Sequence, residues 1–283
     1  MPPQPVRGAV HRSRTAWIAT DTGAVRPRNE DRCCAGAWVA DGSDGAWIVP
    51  LASDRWLAAV ADGMGGMAGG DVASRLALTK LIELIIDTSD WTLALQRQKD
   101  ITTVFERMTD RFLQIDEILR KEADNDRTLQ GMGTTLTVAG ALGSDLIVGH
   151  VGDSRAYLLH EDKLTQLTTD HTLAQALIDA GVAHPDDPAS RSMRHVLTAA
   201  VGSLGEQVDP QVQRFKLRGG DKLLLCTDGL TEMVKDETIA QVLSETKSAQ
   251  DACQDLVDLS LSGGGTDNVT VVLAHFRSTI SPR

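Results

Sequence analysis

Trp56-Leu57-Ala58-Ala59-Val60-Ala61-Asp62-Gly63-Met64-Gly65-Gly66 is the stretch on which the fold turns. An unbroken apolar run from Trp56 to Ala61, followed by a glycine-rich bend, has the composition of a buried strand. The glycine-rich bend from Gly63 to Gly70 ends it. Asp62 therefore stands at a strand tip, its carboxylate held by the sheet behind it. Comparable acids occur in Asn29-Glu30-Asp31, Thr169-Asp170-His171, Thr227-Asp228-Gly229 and Thr266-Asp267-Asn268. Carboxylates converging on one sheet edge make an oxygen-only cage, which suits Mg²⁺ or Mn²⁺ rather than zinc.

Outward from that bend the chain alternates between strand groups and helices. Trp17–Thr20, Cys33–Ala40, Ala46–Leu51 and Trp56–Ala61 read as strands, with Asp41-Gly42 and Asp44-Gly45 as turns. Asp71 is a candidate N-cap for a helix through Ile86, and apolar residues at three- and four-residue steps from Ile101 to Leu119 predict a second helix. Thr134–Ala141, Leu146–Val151, Arg155–Leu159 and Leu164–Thr168 return to strands, with Gly152-Asp153-Ser154 expected as a hairpin turn and Asp153 and Ser154 as structural residues. Thr172–Gly181 is helical in pattern and Val182–Ser192, with two prolines, is loop-like. Phe215–Leu217, Leu223–Thr227 and Val269–Phe276 are strands, and Glu237–Ser262 is mostly helix. Strand groups each followed by helices predict an α+β fold, two packed antiparallel sheets flanked by helices.

The chain has 283 residues, 42% of them hydrophobic, and a formal net charge of -11. No Lys/Arg run offsets that charge, which argues against a nucleic-acid partner. No window is apolar for the roughly 18–20 residues a spanning helix needs, so no membrane association is expected. Cys33, Cys34, Cys226 and Cys253 lack zinc spacing and read as reduced thiols of a cytoplasmic protein. His150, His160, His184 and His275 are likewise scattered without metal spacing. Residues 1–14 and 278–283 read as tails around a single domain, 15–277, because Asp31 and Asp267 can share a metal cluster only if most of the chain closes around it. Antiparallel neighbours set the start of one strand beside the end of the next, which brings Asp31 to Asp62 and Asp228 to Asp267.

Arg26-Pro27-Arg28-Asn29-Glu30-Asp31, Ala61-Asp62-Gly63-Met64-Gly65-Gly66, Gly133-Thr134-Thr135 and Val151-Gly152-Asp153-Ser154-Arg155-Ala156-Tyr157 occur in that order. Leu167-Thr168-Thr169-Asp170-His171, Thr227-Asp228-Gly229-Leu230 and Asp267-Asn268-Val269-Thr270 continue the series. Over residues 15–276 this set resembles the metal-dependent Ser/Thr protein phosphatases of the type 2C (PPM) family, in particular bacterial stand-alone members. The resemblance implies a four-layer αββα sandwich and hydrolysis of phosphoserine and phosphothreonine by in-line attack of a water bridging two Mn²⁺ or Mg²⁺ ions. It implies that Asp62 bridges those ions, that the Gly63 carbonyl, Asp228 and Asp267 complete one and Asp31 the other, and that Glu30 acts through bound water. Arg26 would clamp phosphate, and Asp170 with Glu232 would hold a weaker third ion.

The chain departs from animal members of the family in having Met64 where they carry a histidine proposed to protonate the leaving group. His171 or a bound water are left for that role. The stretch from His171 to Gly205 resembles the family's flap, which contacts the substrate protein. The resemblance also implies phosphorylated Ser/Thr proteins and a cognate Ser/Thr kinase as partners. The alternative, a catalytically weak phosphoprotein-binding regulator of the same fold, is disfavoured by the presence of Asp31, Asp62, Asp228 and Asp267 together. A small-molecule or nucleotide phosphatase would call for a phosphate-cradling Gly-x-x-x-x-Gly-Lys loop, which is absent.

Overall fold

The computed structural model describes residues 14–35, 38–40, 46–48, 55–65, 69–86, 101–142, 144–185, 187–203, 207–246 and 248–276. The Asp41-Gly42 and Asp44-Gly45 turns, the C-terminal tail and nearly all of the N-terminal tail lie outside those residues. One sheet has the strand order β1 (Arg14–Asp21), β13 (Val269–Phe276), β12 (Lys222–Cys226), β9 (Arg155–His160), β10 (Lys163–Gln166). The other runs β11 (Gln211–Lys216), β8 (Asp145–Val151), β7 (Leu136–Leu142), β5 (Arg55–Met64), β2 (Asp31–Ala35), β3 (Trp38–Ala40), β4 (Ala46–Ile48), with β6 (Gly133–Thr134) pairing with the end of β5. All of these pairings are antiparallel.

Alternation along each strand divides the core. In the larger sheet, Ala59, Ala61, Leu136, Val138 and Val151 face α1 (Gly69–Ile86) and α2 (Ile101–Asn125), packing on Leu78, Leu81, Phe112, Ile115 and Leu119. The intervening residues Cys33, Ala58, Val60, Ala139 and Val148 meet Leu223, Leu225, Val272 and Ala274 of the smaller sheet. That sheet's far side, with Leu224, Val271 and Leu273, packs on α6 (Asp236–Glu245) and α7 (Ala249–Gly263) through Ile239, Leu243, Leu256 and Val257. The result is four layers, helices-sheet-sheet-helices. Central strands covered on both faces carry unbroken apolar runs, which is why β5 and β12 show no polar alternation. The short helices α3 (Leu173–Asp179), α4 (Pro188–Ser192) and α5 (Asp228–Thr231) lie in connections.

The expected hairpin at Gly152-Asp153-Ser154 is not one. β8 pairs with β7 and β11, whereas β9 pairs with β12 and β10, so the tripeptide carries the chain from one sheet to the other. Gly152 has φ +111, and a Cβ there would lie 2.6 Å from the Thr135 side chain, so only glycine passes this close. The Cys33–Ala40 run divides into β2 and β3, which pair with each other. Asp71 falls inside the first turn of α1 and forms an ion pair with Arg32, because Gly69 and Gly70 let the helix start earlier, against Met132 and Gly63. Part of the expected loop 182–192 is α4, with Pro188 at its first turn.

Candidate active site

Asp31 and Asp62 are direct partners in the β2–β5 ladder. Asp31 is 1% exposed, and its Oδ2 accepts a 2.8 Å hydrogen bond from Thr227 Oγ1, which in turn accepts from the Thr270 amide at 3.0 Å. One residue thus ties β2 of the larger sheet to β12 and β13 of the smaller. The Asp62 amide donates to Thr135 Oγ1 at 2.9 Å, and the Asp62 carbonyl accepts from the Thr135 amide at 2.9 Å and from Thr134 Oγ1 at 2.8 Å. With its backbone held on both sides, the Asp62 side chain is aimed by the sheet rather than by a loop.

Asp228 opens α5 at the end of β12, and Asp267 lies two residues before β13. Gly229 packs so closely on the Asn268 carbonyl that a Cβ would lie 2.0 Å from it, which joins these two segments. Asn268 extends the bracing: its Oδ1 accepts from the Glu30 amide at 2.8 Å, and its Nδ2 donates to the carbonyls of Thr22 and Arg28 at 2.8 and 2.9 Å. Glu30 Oε2 and the Gly63 carbonyl both border Gly70, within 2.5 and 2.7 Å of where a Cβ would stand. The half-exposed Arg26 places NH2 2.6 Å from Asp267 Oδ2 at the rim.

Burial pushes the Asp31 carboxyl up to about 7 despite the Thr227 hydrogen bond, with the charges of Asp228 and Asp267 adding to the rise. Burial, then the neighbouring Asp31 and Asp228, hold Asp62 well above the usual carboxylate range. Asp228 is raised by burial and by Asp267. Asp31 Oδ1 and Asp228 Oδ1 are buried without a hydrogen-bond partner among the described residues. Carboxylates so crowded are neutralised either by protons or by cations. Oxygen donors alone, with two orphaned buried oxygens, fit hard divalent ions.

Comparison with known proteins agrees with that chemistry. Residues 28–261 match the family model described as Protein phosphatase 2C. The serine/threonine protein phosphatase PstP of Mycobacterium tuberculosis is 36% identical over 255 residues, covering 90% of this chain. This chain spans 43% of the length of that protein. The serine/threonine phosphatase stp of Listeria innocua is 34% identical over 261 residues, covering 92% of this chain and 95% of its own. A crystal structure of the PstP catalytic domain with two manganese ions superposes with a TM-score of 0.73 at 34% identity, over 94% of this chain and 99% of that one. The chain belongs to the protein phosphatase 2C family.

In this phosphatase-family chain the outlying acids Asp170, Asp153 and Glu232 have different surroundings. Asp170 gives both oxygens to the Arg155 guanidinium, at 2.8, 3.1 and 2.6 Å, with Gln166 Nε2 on Oδ1 at 3.1 Å. Its carboxylate is thereby occupied by protein donors. Asp153, expected only as a turn residue, is 8% exposed and is held well above its ordinary range by burial and then by Asp228, so it belongs to the acid cluster. The crossover at Gly152 puts it there. Glu232 is the C-cap of α5 and, one turn beyond Asp228, shares its face of the helix. Burial and then Asp228 push it up to about 7. Its Oε1 pairs with His195 Nδ1, on the segment between α4 and β11. His171 Nδ1 accepts from the Gly152 amide at 3.1 Å, which commits it to backbone support.

Sequence reading missed Thr135, Thr227, Asn268 and His195. The first three stand inside or beside the quoted motifs, and that adjacency is the signal that marks them. The flap-like segment is stitched at its base by the Thr172–Leu197 and Thr134–Val201 bridges, with the Thr198 amide on the His171 carbonyl at 2.9 Å. Nothing in spacing points to His195. Among the described residues, no helix is long and apolar enough to cross a membrane.

Proposed function

We propose that this chain is a metal-dependent protein phosphatase that hydrolyses phosphoserine and phosphothreonine in other proteins, reversing a Ser/Thr kinase. The observation that carries this reading is the Asp31–Asp62 pair, set across one ladder beside Asp228 and Asp267, with orphaned buried oxygens on Asp31 and Asp228. In this reading Asp31, Asp62, Asp228, Asp267 and the Gly63 carbonyl hold two Mn²⁺ or Mg²⁺ ions. When bound, such a pair supplies Lewis acidity and an activated water for in-line attack on phosphorus.

The chain's own residues do the rest. Thr227 holds the Asp31 carboxylate, and Thr134 and Thr135 hold the Asp62 backbone, so the two central acids are positioned before any ion binds. Arg26, exposed and tethered only at the rim, turns its planar fork to the phosphate oxygens and orients the ester. Glu30, whose backbone Asn268 fixes, orients solvent at the ions. The segment around α3 and α4, anchored at its base, meets the substrate protein.

The test is hydrolysis of an aryl phosphate and a phosphothreonine peptide with Mn²⁺, with and without chelator, by the wild type and by Asp62→Asn and Asp228→Asn. Cation-dependent turnover lost in both variants is expected. Chelator-resistant turnover, or full activity in either variant, would overturn the reading.

A further inference from the structure

We propose that Ser154 is a positioning residue of the acid cluster, acting on Asp62 through Thr135, and that the Gly152-Asp153-Ser154 crossover is shaped as a cradle for that threonine. Ser154 is fully buried, and its Oγ lies 2.7 Å from Thr135 Oγ1. Among the described residues Ser154 Oγ has no other hydrogen-bond partner. Burying a hydroxyl costs free energy unless it is bonded, so the effect of this one is felt at Thr135. The Thr135 oxygen is the acceptor of the Asp62 amide at 2.9 Å. Whichever of the two hydroxyls donates, the contact holds Thr135 Oγ1 where that amide needs it.

Gly152 grips the same side chain from its apolar side. A Cβ at Gly152 would lie 2.6 Å from both Cβ and Cγ2 of Thr135, so the bare glycine backbone rests against the threonine methyl while Ser154 meets its hydroxyl. Side chains occupy discrete staggered rotamers, and the observed one satisfies both contacts while turning Oγ1 to Asp62. Ser154 is itself held from behind. Thr137 Oγ1 donates to the Ser154 carbonyl at 3.2 Å and lies 2.8 Å from His150 Nδ1. Thr137 has one hydroxyl hydrogen and a carbonyl can only accept, so His150 carries its proton on Nδ1 and donates. A single buried chain of groups thus runs from His150 through Thr137, Ser154 and Thr135 to Asp62, joining β8, β7, the crossover and β5.

This inference rests on the two-ion phosphatase reading, because Asp62 is the acid being positioned. The full chain is assayed on an aryl phosphate across a Mn²⁺ titration, with unfolding followed in parallel, as wild type, Ser154→Ala, Ser154→Cys, Thr135→Val and the Ser154→Ala/Thr135→Val double variant. Losing an outer partner of a metal ligand lowers affinity or activity by about tenfold or more, so Ser154→Ala is expected to lower kcat and Mn²⁺ affinity by about tenfold. KM for the ester should stay unchanged, since Arg26 is untouched. Ser154→Cys fills the space but hydrogen-bonds weakly, so it too is expected to lower kcat, whereas a role in packing alone would be spared by it. Because both residues act through one hydroxyl contact, the double variant is expected to be no worse than Thr135→Val alone. Wild-type kcat and Mn²⁺ affinity in either Ser154 variant, or losses that multiply in the double variant, would overturn the inference while leaving the two-ion reading standing. Cation-independent turnover by the wild type would overturn both.

Discussion

Arg155 and Asp170 illustrate how a charged residue at a motif position can be structural. Their side chains are 21% and 13% exposed, and the guanidinium spans both carboxylate oxygens. Removing one partner of a buried pair strands the other charge, at a cost of about 3–5 kcal/mol when burial is complete. With the residual exposure here, Asp170→Asn is expected to cost about 2–4 kcal/mol in denaturant unfolding and to leave the number of bound Mn²⁺ ions unchanged. An unaltered stability with one ion lost would return Asp170 to the metal site. Arg26 is the opposite case. Its guanidinium is half-exposed and its pair with Asp267 lies at the rim, so Arg26→Ala should change stability by less than about 1 kcal/mol. Losing a charge-assisted hydrogen bond to phosphate, about 1.5 kcal/mol, predicts a roughly tenfold rise in KM for an aryl phosphate. An unchanged KM and kcat would remove Arg26 from the site.

At the scale of elements, the approach of β5 to α1 sets where Asp62 and the Gly63 carbonyl stand. A Cβ at residue 63 would lie 2.0 Å from the Gly70 carbonyl oxygen and 2.9 Å from that of Glu30, both backbone atoms that cannot swing aside. Gly63→Ala must therefore push α1 away from β5 and is expected to destabilise by about 1–3 kcal/mol or more. Metal affinity should fall with it, read by Mn²⁺ titration beside thermal unfolding, and a destabilised variant with unchanged affinity would show that the β5–α1 approach does not set the geometry of the metal site. The start of α2 and both ends of β13 were legible because their local signals are strong, a helical period and an apolar run closing on Phe276, whereas β5 runs past Ala61 into the glycine bend as far as Met64 and α2 continues past Leu119 to Asn125. The opposition of Asp31 and Asp62 followed from antiparallel geometry alone. Sheet membership was not legible, since β8 and β9 are both rich in apolar residues and either pairing satisfies that pattern. The bracing of the acids was equally hidden. Thr227 and Asn268 act on Asp31 and Glu30 from 196 and 238 residues away, and no local pattern encodes a contact at that range.

Across the whole molecule, three apolar layers fix two sheets whose strand ends deliver the acids to one place, and that delivery opposes folding when no cation is present. Asp31 ionises at about 7 in the folded chain against 3.8 in its ordinary state, and Glu232 at about 7 against 4.5. Raised carboxyl values mean that the folded chain binds more protons than the unfolded one between these limits. The associated stability is complete at low pH and is lost as pH rises towards 7, by up to about 1.4 kcal/mol per unit for each group. His150 runs the other way: burial and the neighbouring His171 lower it from 6.5 to about 3, so its contribution is lost as pH falls below 6.5. It binds Thr137 at 2.8 Å through Nδ1 and touches none of the clustered acids by hydrogen bond, so its titration is the same with and without cation and cancels in a difference measurement. A divalent cation displaces the protons that the acids otherwise hold. The rise in melting temperature on adding saturating Mg²⁺ to chelator-treated protein is therefore expected to be larger at about pH 7.5 than at about pH 5, because at the lower pH protons already neutralise the cluster. Asp31→Asn should reduce the difference between the two pH values. A cation-induced rise of equal size at both would mean that the buried acids stay ionised in the metal-free fold, and that the cluster is neutralised by something other than protons.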